Sequence, residues 1–173
     1  MNRNITNAQL GEILDKVRQR VPGIAIRTSV MVGFPGETVE EFNELKNFVA
    51  TQGFRHLGCF AYSQEEGTVA GRMPDQIADE VKQERLAEIM SVQQDVSRDA
   101  LKHYIGKTLP VLVEGPSQEI DLLWQCRLAT KAPEVDGLVY LNDGPVKAGV
   151  IQLARITESH DYDLVAAVVA ELN

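Results

Sequence analysis

Apolar positions follow two rhythms along this chain, and the change falls near Lys107. Before it, stretches of helical period alternate with short, nearly continuous apolar runs. After it, short apolar segments follow one another between turn residues. The first stripe, Leu10, Ile13, Leu14 and Val17, predicts a helix over residues 6–20. Thr6 and Gln9 have capping-box spacing, and Pro22-Gly23 stops the helix. Residues 24–34 read as a strand whose end, Val30-Met31-Val32, is apolar without a break, as in a parallel strand covered on both faces. Gly33-Phe34-Pro35-Gly36 is a turn. Thr38 and Glu41 form a second capping box, and Val39, Phe42, Leu45, Phe48 and Val49 give the next helix its buried face before Gly53 ends it.

A second strand is expected over residues 56–62. Helix, strand, helix, strand implies βαβ units with parallel pairing, and the few strands suggest an incomplete barrel or sheet. A polar loop over 63–75 leads into a long helix over 77–104, with Leu86, Ile89, Val92, Val96, Ala100 and Tyr104 on one stripe. Five short strands follow, over 108–113, 121–129, 137–141, 150–157 and 163–169. Turn signals separate them at Gly115-Pro116, Asp136-Gly137, Asn142-Asp143-Gly144-Pro145 and Ala148-Gly149. They predict a small antiparallel barrel of the oligonucleotide-binding-fold type. The expected architecture is α/β over 1–106 and a β-barrel domain over 107–173.

Charge sharpens this picture. The chain has a net charge of −8, and from Pro110 onward four cationic residues face ten acidic ones, a balance of −6. Nucleic-acid affinity comes largely from cationic contacts, so such a barrel is a poor phosphate binder and a plausible dock for a basic protein. The same acidity also serves solubility. No signal peptide or membrane span is read, which makes a cytoplasmic location the expectation. The two cysteines, Cys59 and Cys126, are too few and too far apart for a metal or cluster site and read as buried thiols.

Candidate chemistry belongs at the C-terminal ends of the parallel strands, Val32 to Glu37 and Phe60 to Ser63. Two glycines and the helix opening near Thr38 would let a ligand approach backbone N–H groups. Taken alone, this corner reads as a tight βα turn without a ligand. Arg27, in an apolar strand, needs a partner: an internal carboxylate on the residues alone, or a ligand carboxylate. His56, His103 and His160 are dispersed, and Glu65-Glu66 reads as a solvated pair.

These segments together resemble the radical S-adenosylmethionine (SAM) methylthiotransferases. The run from Arg27 to Thr38, RTSVMVGFPGET, resembles that family's fifth-strand signature. Cys59-Phe60-Ala61-Tyr62-Ser63 with Glu65-Glu66-Gly67-Thr68 resembles the sixth strand and its loop, and Met1-Asn2-Arg3 the end of the fourth. The stretch from Thr108 onward resembles the appended TRAM β-barrel. The tRNA-modifying branch has Arg-Pro-Gly-Thr where this chain has Glu65-Glu66-Gly67-Thr68. Residues 132–137, APEVDG, with Val139 to Asn142 resemble instead the branch that modifies an aspartate of small-subunit ribosomal protein S-twelve.

The resemblance implies half of a radical SAM barrel followed by a TRAM barrel. It implies addition of a methylthio group to an aspartate β-carbon, with SAM and two 4Fe–4S clusters in the complete enzyme. The cluster motif CxxxCxxC is absent from this sequence, so the chain is expected to be a piece of a longer enzyme and inactive alone. Arg27 is the expected polar contact to SAM, and Val32, Phe34 and Tyr62 the pocket lining. Glu65 and Glu66 are expected to face a basic ribosomal protein. No residue is assigned a catalytic role, and neither nucleic acid nor membrane is an expected partner. Two rivals stand beside this reading: the same chemistry on a tRNA adenosine, and a non-enzymatic module binding ribosomal protein or RNA.

Overall fold

The computed structural model describes residues 5–120, 122–142 and 146–169. Met1-Asn2-Arg3, Asp121 and the Asp143-Gly144-Pro145 part of one expected turn lie outside them. Helix α1 (Asn7–Arg20) begins where sequence places it, because Thr6 and Gln9 satisfy each other's backbone N–H groups in a full capping box. Its apolar stripe is only half covered, and none of its residues is fully buried. Strand β1 (Arg27–Val32) leads to α2 (Val39–Gln52), opened by the Thr38–Glu41 capping box and closed by Gly53 at φ +58°. Strand β2 (His56–Ala61) lies parallel to β1, with Arg27 opposite His56 and Val32 opposite Ala61.

Helix α3 (Asp79–Lys102) follows the loop and, with α2, closes a core of Val32, Phe42, Val49 and Ile89. The expected two-sided cover of β1 is corrected here. Burial alternates along the strand, and the facing pair Met31 and Phe60 is 51% and 58% exposed. Val39, expected in the buried face of α2, is also exposed. The line of α3 that turns inward is Lys82, Arg85, Ile89, Gln93, Ser97 and Leu101 rather than the apolar stripe alone. Gln93 is buried by what it bonds: its amide donates to the Phe54 carbonyl at 3.0 Å.

Strands β3 (Thr108–Pro116), β4 (Trp124–Arg127), β5 (Val139–Leu141), β6 (Ile151–Ser159) and β7 (Leu164–Val168) close a barrel in the order β3-β4-β5-β7-β6. Closure removes free sheet edges. The core is filled by Val111, Val113, Cys126, Val139, Leu141, Ala154, Ile156, Leu164 and Ala166. Four pairings are antiparallel, but β5 and β7 run parallel, so the barrel is mixed rather than antiparallel as expected. No helix among the described residues is long and apolar enough to cross a membrane.

The sheet and the barrel meet at Asp136. Its carboxylate, 4% exposed, takes the Arg27 guanidinium, His56 Nδ1 at 2.9 Å and the Ala132 backbone N–H at 2.6 Å. His56 Nε2 faces the Thr130 carbonyl at 3.2 Å, so both ring nitrogens meet acceptors. Burial holds the His56 pKa below the ordinary histidine value, against the pull of Asp136 and with Arg27 adding to the lowering. Gly137 follows because a β-carbon there would sit 2.1 Å from the Tyr162 carbonyl oxygen.

Beside this joint, buried Lys131 donates to the Tyr162 carbonyl at 2.7 Å. Burial pushes its pKa down to about 8, although Asp163 and Asp136 act to raise it. Between pH 8 and 10.5 the unfolded chain therefore holds a proton that the folded chain has released, and stability gains as pH rises. The Cys59 and Cys126 thiols, raised by burial to about 11 and about 12, act oppositely above pH 9, where they ionise first in the unfolded chain. A thermal melt series should climb from pH 8 toward 9 and fall beyond it, and Lys131→Met should flatten the climb.

Candidate functional site

The C-terminal ends of β1 and β2 form a rim where three of the four expected pocket residues converge. Val32 is fully buried as the last residue of β1. Phe34 meets the Tyr62 ring edge-on, with centroids 5.4 Å apart, and the Tyr62 N–H donates to the Val32 carbonyl at 2.9 Å. The fourth, Arg27, is corrected in place. It stands at the opposite, N-terminal end of β1, is 45% exposed, and is engaged by Asp136. A six-residue strand separates the two ends by about 17 Å. Position along the strand, which sequence periodicity leaves open, decides this.

Several backbone donors of the corner are already engaged. Gly33 N–H donates to Glu37 Oε1 at 3.0 Å, Gly36 N–H to the Asp75 carbonyl at 2.8 Å, and Glu37 N–H to the Phe34 carbonyl at 2.9 Å. The capping box uses the N–H groups of Thr38 and Glu41. Polar character at the rim comes instead from α3, whose Lys82 and Arg85 are not among the expected site residues. Arg85, 8% exposed, gives Nη1 to Glu37 Oε1 at 2.5 Å and lies over the Phe42 ring. Lys82, 6% exposed, lies against Gly33, where a β-carbon would meet its Cγ at 2.4 Å. Its Nζ sits 5.6 Å from the Tyr62 ring centroid and bonds Asp79 at 2.8 Å. The Tyr62 hydroxyl is buried and, among the described residues, has no hydrogen-bond partner.

Glu65 and Glu66 stand exposed on the loop that follows β2. The loop is ordered by its own bonds: Thr68 Oγ1 donates to the Glu65 carbonyl at 2.8 Å, and Gln64 donates to the Gly71 carbonyl at 2.8 Å. Asp75 ties it to Gly36. Cys59, expected to be buried, is half-buried, and both thiols are free. Among the described residues no group of three or more His, Cys, Asp or Glu side chains is gathered as a metal would need.

Comparison with known proteins places the barrel first. A TRAM domain family model matches residues 105–169. Over 99% of its length the chain is 47% identical to the ribosomal protein uS12 methylthiotransferase RimO of Bdellovibrio bacteriovorus, covering 37% of that protein. The proteins of the same name from Myxococcus xanthus and Syntrophobacter fumaroxidans are 47% and 48% identical over 98% and 96% of the chain, which covers 36% and 37% of them. The chain thus spans little more than a third of the curated relatives it matches.

Proposed function

Since the chain belongs to the ribosomal protein uS12 methylthiotransferase family, we propose that it is the part of such an enzyme that carries one flank of the reaction chamber and the barrel that docks the substrate protein. The paired strands β1 and β2 are then part of a larger parallel barrel. Their exposed Met31 and Phe60 face its interior, and the unpaired strand edges continue into strands beyond the matched segment. The observation that carries this reading is the convergence of Val32, Phe34 and the unpartnered Tyr62 hydroxyl at the C-terminal ends of parallel strands, where α/β barrels bind their ligands.

The rim's residues fit SAM: an aromatic wall for a flat ring, a buried hydroxyl lacking a partner among the described residues, and a lysine whose side chain is buried. They do not fit an iron–sulfur cluster, because two distant cysteines cannot supply three or four thiolates. The cluster ligands belong to the remainder of the longer enzyme. When bound, SAM and the clusters supply the radical and sulfur chemistry that puts a methylthio group on an aspartate β-carbon. This chain's residues orient and enclose. Phe34 and Tyr62 exclude water, Arg85 and Glu37 fix the corner, and the Asp136 joint holds the barrel against the sheet. The methylthio transfer, the uS12 substrate and a cytoplasmic setting are the proposal for the whole enzyme.

The barrel's balance of −6 favours a basic ribosomal protein over RNA as its partner. Salt titrations with purified uS12 and with tRNA check this. The chain should bind uS12 with an affinity that falls with salt, and tRNA weakly. Tight tRNA binding would move the substrate to the nucleic-acid branch. Replacing Glu65 and Glu66 together by lysine should weaken uS12 binding several-fold, about 1 kcal/mol for an exposed charge pair. Unchanged affinity would detach that loop from docking.

A further inference from the structure

We propose that Lys82 and the Tyr62 hydroxyl form a carboxylate-binding pair at the strand-end rim. The inference rests on the reading of that rim as a ligand site and assigns to it two donors that no strand motif marks. Three observations carry it.

The Lys82 side chain is 7% exposed, yet its one hydrogen bond among the described residues goes to Asp79, whose side chain is 87% exposed. A solvated surface carboxylate compensates a buried cation poorly and leaves two of its three N–H donors without a protein partner. Next, the Tyr62 hydroxyl beside it is buried without any partner, a state that costs free energy unless a ligand completes it. Finally, the fold makes room for this lysine. Gly33, at φ +73°, combines a backbone conformation that favours glycine with the absence of a side chain where the Lys82 stem lies.

The Gly33 and Gly36 N–H groups are spent on Glu37 and Asp75, and the proposed holders of an anion at the rim are the Lys82 and Tyr62 side chains. One ammonium and one hydroxyl supply one donor for each oxygen of a single carboxylate. Two ligands of the proposed reaction carry one: the methionyl end of SAM, and the aspartate of the substrate protein. A carboxylate bound here gains one charge-assisted bond from each donor, and in a desolvated rim each is a strong bond.

Binding by the complete enzyme that contains this chain tests the pair, with calorimetry on four probes. The probes are SAM, decarboxylated SAM, a uS12 peptide carrying the target aspartate, and the same peptide with asparagine. Lys82→Met should weaken one of the two carboxylate ligands about 10- to 100-fold and leave its carboxylate-free counterpart unchanged. Tyr62→Phe should weaken the same ligand about tenfold, and Lys82→Arg should retain most of its affinity. Whichever ligand responds is the source. Wild-type enzyme that binds both ligands, with variants that bind them equally well, overturns the pair and spares the rim. Equal losses for a ligand and its carboxylate-free counterpart also overturn it. Wild-type enzyme that binds neither ligand overturns the rim together with the pair. If Lys82→Met fails to fold, the Tyr62→Phe comparison decides.

Discussion

Asp136→Ala is expected to destabilise the protein by about 3 kcal/mol and to uncouple the sheet from the barrel. The substitution strips Arg27, His56 and the Ala132 N–H of a shared acceptor. Arg27 is 45% exposed and regains water, so the larger share comes from His56 and the buried amide. His56 would then lie between the Thr130 carbonyl and a void. Trp124, the one tryptophan in the sequence, packs on the barrel core and reports the barrel alone. Helix content reports mostly the α/β part. Urea unfolding followed by both signals should give one coincident transition in the wild type. The variant should give two, with helix lost first. A coincident transition shifted by less than 1 kcal/mol would mean that Asp136 does not hold the two together.

Gly33→Ala is expected to cost about 3 kcal/mol as well and to disorder the rim. Part of it, about 1 kcal/mol, is the strain of a β-carbon at φ +73°. The rest is overpacking, since the new methyl would sit 2.4 Å from Lys82 Cγ and 3.2 Å from its Cβ and Cδ. The stem of Lys82 is not a free end that can swing aside cheaply. The second variant Gly33→Ala with Lys82→Ala separates the two causes: removing the stem should return the overpacking share and leave the strain. Thermal melts of the wild type, Gly33→Ala, Lys82→Ala and the double variant measure this, and additive losses in the double variant would contradict it.

Much of the fold is local in origin and can be read from the chain. Both capping boxes form where Thr6–Gln9 and Thr38–Glu41 place them, because the interaction spans three residues. The barrel strands follow from turn residues and apolar alternation. What escaped is non-local. The parallel pairing of β5 with β7 depends on how the chain returns after β6, and no local pattern encodes it. Arg27 was visible as a residue needing a partner, but its partner is 109 positions away and at the other end of the strand from the rim.

The inward line of α3 was missed for a different reason. Lys82, Arg85, Gln93 and Ser97 are polar, and polarity at helical spacing reads as a solvated face. The signal was present in their spacing at i, i+3, i+11 and i+15, completed by Ile89 at i+7 and Leu101 at i+19. The motif around Asp136-Gly137, which separated one branch of the family from another, has a structural meaning beyond that. Asp136 is the carboxylate of the joint, followed by the glycine that lets its loop approach Tyr162.

As proposed, this chain is part of an enzyme that places a methylthio group on an aspartate of ribosomal protein uS12. Tandem mass spectrometry of uS12 from cells with the parent gene intact and deleted tests it most directly. The account predicts one modified aspartate that reverts to the plain side chain on deletion. Identical uS12 in both strains, with a methylthio group lost instead from tRNA, would contradict it.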